Sequence, residues 1–278
     1  MKREQLSILL FFCSFFFLPS VASDSLLVEK KLAAAAGIQP PLILHYAKTF
    51  LGTPYVGGRL DLNADECLVV NLRELDCTTF VEYVLALTLT SEQHKTDYAS
   101  FCNNLRKIRY LHGNVHYTSR LHYFSQWIAA NTAEGIVSEQ QPIPAGLSRA
   151  SMRLLLNYMS THSNAYPMLV KNPEWLPAIA EAEKRLSGTT VEYIPKGALR
   201  NWKQWRDYLR DGDIIAIVTN KPGLDISHVG FLIWKEDGPH LFHASSQHGK
   251  VLVESRNLYE YMRTKPAQIG IRVVRHTL

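Results

Sequence analysis

Three side chains have the types and neighbours needed to break an amide bond: Cys77, His228 and His243. A thiol becomes a working nucleophile when a base takes its proton and later returns it to the leaving amine. The base needs a third polar group on its other ring nitrogen to fix its tautomer and orientation. Cys77 stands in Asp76-Cys77-Thr78-Thr79, directly ahead of Phe80, Val81, Val84, Leu85 and Leu87. That apolar spacing predicts a helix with one wide buried face and puts Cys77 at its start. There the free N–H groups of the first turn and the positive end of the helix dipole favour thiolate, so the thiol pKa is expected below its usual value of about 8.5. Asp76 or Thr78 can cap the start through a side-chain oxygen. A backbone N–H at the helix start, with the Tyr55 hydroxyl nearby, can hold the oxyanion of a tetrahedral intermediate.

The elements that must bring these residues together are legible in outline. His228 lies in Ile226-Ser227-His228-Val229-Gly230-Phe231 and His243 in Leu241-Phe242-His243-Ala244-Ser245-Ser246. If those segments are neighbouring hairpin strands, the two rings share one face, and that face can pack against the cysteine helix. Strands are expected over residues 214–219, 227–234, 241–244, 250–253 and 269–274, separated by turn residues at short intervals. Ahead of them, helical patterns cover residues 26–36, 42–50, 97–108, 120–130, 149–159, 174–186 and 199–209. Helices first and antiparallel strands last is an α+β arrangement. Leu51-Gly52-Thr53-Pro54-Tyr55-Val56-Gly57-Gly58 is a tight loop that would hold Tyr55 beside the helix start.

Composition narrows the remainder. The chain has 278 residues and is 46% hydrophobic, enough for one large domain or two small ones. Residues 23–278 show no repeat, low-complexity segment or charged linker and read as a single domain. A net charge of +5 suits an anionic ligand, but no dense Lys/Arg run suggests nucleic acid. Residues 1–22 read as a secretory signal: Lys2 and Arg3, an apolar run over residues 6–18, then Ser20-Val21-Ala22 at the cleavage positions. The run is shorter than the roughly 20 residues of a spanning helix, so no stable membrane insertion is expected after its removal. Phe11-Phe12 before Cys13 do not resemble a lipoprotein cleavage site. Signal removal leaves Cys67, Cys77 and Cys102, an odd number; Cys77 is assigned free, and pairing of Cys67 with Cys102 stays open.

Five segments together resemble the NlpC-type (NlpC/p60) cell-wall cysteine peptidases, a papain-like superfamily. They are Leu51-Gly52-Thr53-Pro54-Tyr55, Asp76-Cys77, Leu209-Arg210-Asp211-Gly212-Asp213-Ile214, Ser227-His228-Val229-Gly230 and Phe242-His243-Ala244-Ser245-Ser246. The resemblance implies a papain-like α+β core, no metal or other cofactor, and hydrolysis of amides in bacterial peptidoglycan in the periplasm or cell envelope. It carries the nucleophile to Cys77, the base to His228, the third member to His243 and a site role to Tyr55; Asp76 and Ser227 match cleft-lining positions. The chain departs from the common Cys-Ser-Gly at Cys77-Thr78-Thr79, which adds bulk to the subsite around Thr78, and it carries a helical insertion around residues 91–210. Both features, with Asp-Cys-Thr-Thr and the segment Asn104 to Tyr110, are similar to the N-acetylmuramoyl-L-alanine amidase-like branch. That branch cuts between the muramic acid lactyl group and L-alanine of small or anhydro-muropeptides. The alternatives are an endopeptidase cutting within the stem, at the D-Glu–diamino acid bond, and a non-catalytic peptidoglycan-binding module.

Rival sites are weaker. His112, His116 and His122 are close in sequence but have no carboxylate or cysteine in ligand spacing, and a hydrated surface is expected there. Arg106, Lys107 and Arg109 read as a solvated helix face. Gly57-Gly58 lacks the lysine and length of a phosphate loop.

Overall fold

A computed structural model describes residues 21–277 apart from Pro40 and Ala64. The expected signal segment therefore lies outside the described residues, except for Val21 and Ala22 at the start of the first helix. Helix α1 spans Val21–Ala34 and α2 spans Ile43–Lys48. Then come α3 (Cys77–Glu92), α4 (Tyr98–Arg109) and α5 (Phe124–Ala133). A mixed stretch follows: β1 (Val137–Glu139), β2 (Ala150–Arg153), α6 (Tyr158–Thr161), α7 (Pro167–Lys171), α8 (Leu176–Leu186) and β3 (Thr190–Pro195). A 3₁₀ segment, Lys196–Trp205, leads into β4 (Ile214–Thr219), β5 (Ile226–Lys235), β6 (Gly238–Ser245), β7 (Lys250–Asn257), α9 (Leu258–Arg263) and β8 (Gln268–His276). Among the described residues no helix is long and apolar enough to cross a membrane.

The eight strands form one antiparallel sheet in the order β2-β3-β8-β4-β5-β6-β7, with β1 pairing the outer edge of β8 beside β3. Side chains alternate between its faces. Val229, Phe231, Phe242 and Ala244 join α3 in one core, whereas Leu232 and Leu241 join Leu258 and Met262 of α9 in a second core on the opposite face. Helix α3 is central: every residue from Thr79 to Thr88 is buried, so it has no solvent face, in contrast to the one-sided helix expected.

The stretch 149–159 is not a helix. Leu154 and Leu156 are 2% and 3% exposed while Leu155 is 68% exposed, a period of two that continues from strand β2. The insertion is accordingly not purely helical, since β1 and β3 complete the main sheet and β2 extends it. The segment 199–209 winds as a 3₁₀ turn over most of its length rather than as an α-helix. Cys67, Cys77 and Cys102 are all unpaired.

Candidate active site

Asp76 starts α3. Its carboxylate accepts the Thr79 N–H at 2.8 Å, and the Thr79 hydroxyl accepts the Asp76 N–H at 2.9 Å, a reciprocal cap that fixes the turn carrying Cys77. Thr79, not Thr78, completes that cap. Tyr55 is tied to the same turn through the backbone: Leu75 N–H donates to Pro54 at 3.0 Å, Val56 N–H to Leu75 at 2.9 Å, and Tyr55 N–H to Gly249 at 2.9 Å.

The histidines come from the sheet. The β5–β6 register pairs Phe231 with Phe242; continued by one residue it sets Gly230 opposite His243 and His228 diagonal to it on the same face. A Cβ on Gly230 would lie 2.8 Å from the His243 Cβ and 2.7 Å from the Phe242 carbonyl, so the glycine makes room for that ring. His228 Nε2 and His243 Nδ1 are 2.5 Å apart with the rings edge to face. The shared face is the one turned to α9, where His243 packs edge-on to Tyr261, and not the face against α3 as expected. The β4–β5 ladder is irregular at this end, with His228 opposite Ile217 but Ile226 opposite Val218, which leaves Ser227 as the extra residue of a bulge. Cys77 meets the strand at the same end, where the Val229 N–H reaches its sulfur.

Cys77 and His228 line one cavity of about 180 Å³. Thr78, Ser227 and Val229 complete its floor, and Leu121, Tyr123, Phe124, Met159 and Tyr166 wall it from the inserted region. A second lobe of about 190 Å³ shares Thr78, His122 and Tyr166 and adds Asp76, Tyr117 and Arg120. A third, of about 200 Å³, lies beyond His228 and His243. The seven residues singled out in the sequence thus sit around one turn of helix and one end of a sheet. Asp76 is spent on the helix cap, and Ser227 donates to the Ile217 carbonyl at 3.3 Å.

One partner was missed. His243 Nε2 lies 3.2 Å from Oε1 of Glu254, both side chains 1% exposed, and the same oxygen is 3.5 Å from His248. An ionised carboxylate only accepts. It therefore places a proton on His243 Nε2, leaves the Nδ1 lone pair to accept from His228 Nε2–H, and leaves His228 Nδ1 unprotonated. The available signal was a lone acid in the apolar run Val251-Leu252-Val253-Glu254.

The electrostatics reverse one expectation. Burial pushes the Cys77 thiol up to about 12, helped by the charge of Asp76; the Val229 N–H, the Thr78 hydroxyl and the residue's own N–H pull the other way and lose. Burial, then His243 and Lys265, hold His228 well below its ordinary 6.5. The resting pair is neutral thiol and neutral imidazole, because loss of solvation outweighs the helix dipole here. Tyr55 is pushed up to about 12 by burial and by Cys77 and Asp76, which keeps its hydroxyl a donor.

The rival clusters look different in three dimensions. His112 is exposed near Glu134, His116 packs edge-on to Trp175, and His122 Nε2–H donates to the Tyr117 carbonyl at 2.8 Å while lining the cleft. Only the first matches a hydrated surface. No group of three metal-ligating side chains is found among the described residues. Arg109 is not solvated: it is 1% exposed, with Nε donating to Glu82 at 2.7 Å and Nη1 to the Val69 carbonyl at 2.7 Å.

An antiparallel sheet with a capped cysteine helix on one face and a histidine pair at its bulged end has the parts of a nucleophilic hydrolase, and it is the relatives that give the class as amidase-like. Residues 45–271 match the AmiA-like, N-acetylmuramoyl-L-alanine amidase-like family, and the chain belongs to it. A crystal structure of an N-acetylmuramoyl-L-alanine amidase from Bacteroides uniformis ATCC 8492 is 38% identical, with a TM-score of 0.78 over 85% of this chain and 97% of that one. A Bacteroides fragilis structure bearing the provisional name xylanase is 40% identical, with a TM-score of 0.77 over 84% and 99%. A Legionella pneumophila protein, 23% identical, shares the fold with a TM-score of 0.72 over 92% and 95%. No curated protein matches the chain significantly.

Proposed function

We propose that the protein is an exported, cysteine-dependent amidase of the papain-like NlpC/p60 type that cleaves the lactyl–L-alanine amide of small or anhydro-muropeptides during cell-wall turnover. The observation that carries this reading is that Cys77 shares a cavity with His228, whose ring is the near end of a chain of hydrogen bonds through His243 to Glu254, in which the buried carboxylate sets both imidazole tautomers. As the sulfur attacks the lactyl carbonyl, its proton passes to His228 Nδ1. The Cys77 N–H and the Tyr55 hydroxyl receive the oxyanion. Collapse expels the alanine nitrogen, which takes the proton from His228; a water deprotonated by the same ring then cleaves the thioester and frees the thiol. Tyr117, Tyr123, Phe124 and Tyr166 line the lobes on the Cys77 side of the cleft and suit a sugar ring. Thr78 and Ser227 line the same cavity as Cys77 and His228.

A glycosidase needs two carboxyl groups flanking the bond it cuts. In this cleft Asp225 accepts the Ser125 N–H at 2.7 Å, Asp76 caps α3, Asp61 pairs with Arg120 and Glu82 pairs with Arg109. Each acid is already committed, which favours the amidase over a xylanase. Mass spectrometry of products from an anhydro-muropeptide tests the assignment. Free anhydro-sugar plus intact peptide is expected, and is expected to vanish in Cys77→Ala. A shortened stem still attached to sugar would mean an endopeptidase, and unchanged substrate would leave a binding module.

A further inference from the structure

The third lobe of the cleft has a composition unlike the other two. It is lined by Ser227, Ser245, Ser246, Tyr261, Lys265 and Gln268 together with the two catalytic histidines, and it is polar where the sugar-side lobes are aromatic. Lys265 is half-buried there, and among the described residues its ammonium has the Tyr261 ring, 3.1 Å from the centroid, as its one partner. The anion whose field reaches it, Glu254, is already occupied by His243 and His248, and Arg256 repels it. Burial accordingly lowers the Lys265 pKa to about 8. Gln268 is nine-tenths buried, and its carbonyl oxygen has no hydrogen-bond partner. A half-buried cation with unused donors beside hydroxyls is a poor arrangement for an empty protein and a good one for an anion, while the unsatisfied Gln268 oxygen, an acceptor, suits an N–H of the same ligand.

The position of the lobe says which part of the substrate arrives there. His228 must hand its proton to the leaving nitrogen, so the leaving group departs along the His228 side of the cleft, and the third lobe is lined by that ring and not by Cys77. We infer that this lobe is a carboxylate subsite in which Lys265, with the Ser246 hydroxyl beside it, binds an acidic group of the leaving peptide, close to its amino end. Resting on the amidase reading, this adds a preference for an acidic second residue over its amidated counterpart.

Two substrates differing in that group alone, 1,6-anhydro-N-acetylmuramoyl-L-alanyl-D-glutamate and 1,6-anhydro-N-acetylmuramoyl-L-alanyl-D-isoglutamine, test the inference. The wild-type chain is expected to prefer the free carboxylate by about tenfold in kcat/KM, the size of one charge-assisted hydrogen bond at a half-exposed site. In Lys265→Met the ratio is expected to fall to about one, and in Lys265→Arg to be largely retained. Because Lys265 also lowers the pKa of His228, both rates can change in Lys265→Met, but a field on the catalytic ring moves them together and leaves their ratio alone. An unchanged ratio in a folded Lys265→Met variant overturns the subsite. If neither compound is turned over by the wild type, the amidase reading fails by itself. Calorimetric binding of L-alanyl-D-glutamate to Cys77→Ala then still decides the lobe: affinity about tenfold weaker in Cys77→Ala/Lys265→Met supports it, and equal affinity rejects it.

Discussion

Replacing Glu254 by Gln keeps the side-chain volume and removes one buried charge. In the native chain that charge accepts from His243 Nε2 at 3.2 Å and so fixes which nitrogen of each histidine carries a proton. Glutamine can present its oxygen, which keeps the proton order without the charge, or its NH₂ group, which turns His243 Nδ1 into a donor facing the His228 Nε2–H only 2.5 Å away. A hydrogen bond to a charged acceptor contributes about 1.5–3 kcal/mol, and it is strongest when His228 is an imidazolium during attack. At about 1.4 kcal/mol per factor of ten, kcat is expected to fall about 10- to 150-fold. KM should stay within about twofold, since Glu254 is 1% exposed and lies behind His243 rather than in the cleft. The assay is steady-state release of peptide from an N-acetylmuramoyl-L-alanyl peptide, with a thermal melt confirming that the variant is folded. A folded Glu254→Gln protein with kcat within about threefold of wild type would refute the relay.

The base works only when neutral. Because burial, His243 and Lys265 lower the His228 pKa, the ring stays deprotonated to lower pH than a free imidazole, and the acid limb of kcat/KM is expected below pH 6.5; a limb above that value would contradict it. With the thiol pushed up to about 12, alkylation of Cys77 by iodoacetamide, read on its own peptide to separate it from Cys67 and Cys102, should keep rising to about pH 10, whereas a plateau near pH 8 would indicate a preformed thiolate. Arg109→Met leaves the Glu82 carboxylate buried without its partner, and a loss of about 3–5 kcal/mol is expected in urea unfolding. Recovery of most of that loss in Arg109→Met/Glu82→Leu would identify the pair as its source; a single variant within about 1 kcal/mol of wild type would show that it is not.

What the sequence disclosed and what it concealed follow from the range of the interactions. The strands from β4 onward lie close to their expected bounds because β-branched and aromatic runs are punctuated by Asp211-Gly212-Asp213, Asp237-Gly238 and His248-Gly249, signals contained in a few residues. β1 and β3 escaped because each is short and earns its place by pairing with β8, about 80 to 140 residues further along the chain. β2 was hidden by Leu154-Leu155-Leu156, which fits a helix or a strand until one knows that only the outer two are covered. Cys77 and His228 stand out by type and neighbours. The helix that covers the histidine face does not, because alternation groups His228 and His243 with Leu232 and Leu241 but leaves open whether α9 or α3 packs there. The sign of the thiol shift was lost for a similar reason: the helix dipole is readable locally, whereas the packing that desolvates the sulfur is assembled from α3, β5 and the insertion. By sequence Arg109 groups with its exposed neighbours Arg106 and Lys107. The clue was on another helix, in the lone acid Glu82 among apolar residues of α3.

The way β8 is flanked limits how the molecule can be shortened. Its inner edge belongs to β4 along its length, but its outer edge is covered in two pieces, by β1 at residues 274–276 and by β3 at residues 270–271, both supplied by the segment inserted between the cysteine and the histidines. A trimmed version that kept only the cysteine helix and the last five strands would leave that edge bare, a row of unpaired amides and carbonyls open to another copy. The inserted residues therefore act as selvedge as well as cleft wall, and a minimal catalytic fragment would have to be hemmed before it could stay dispersed.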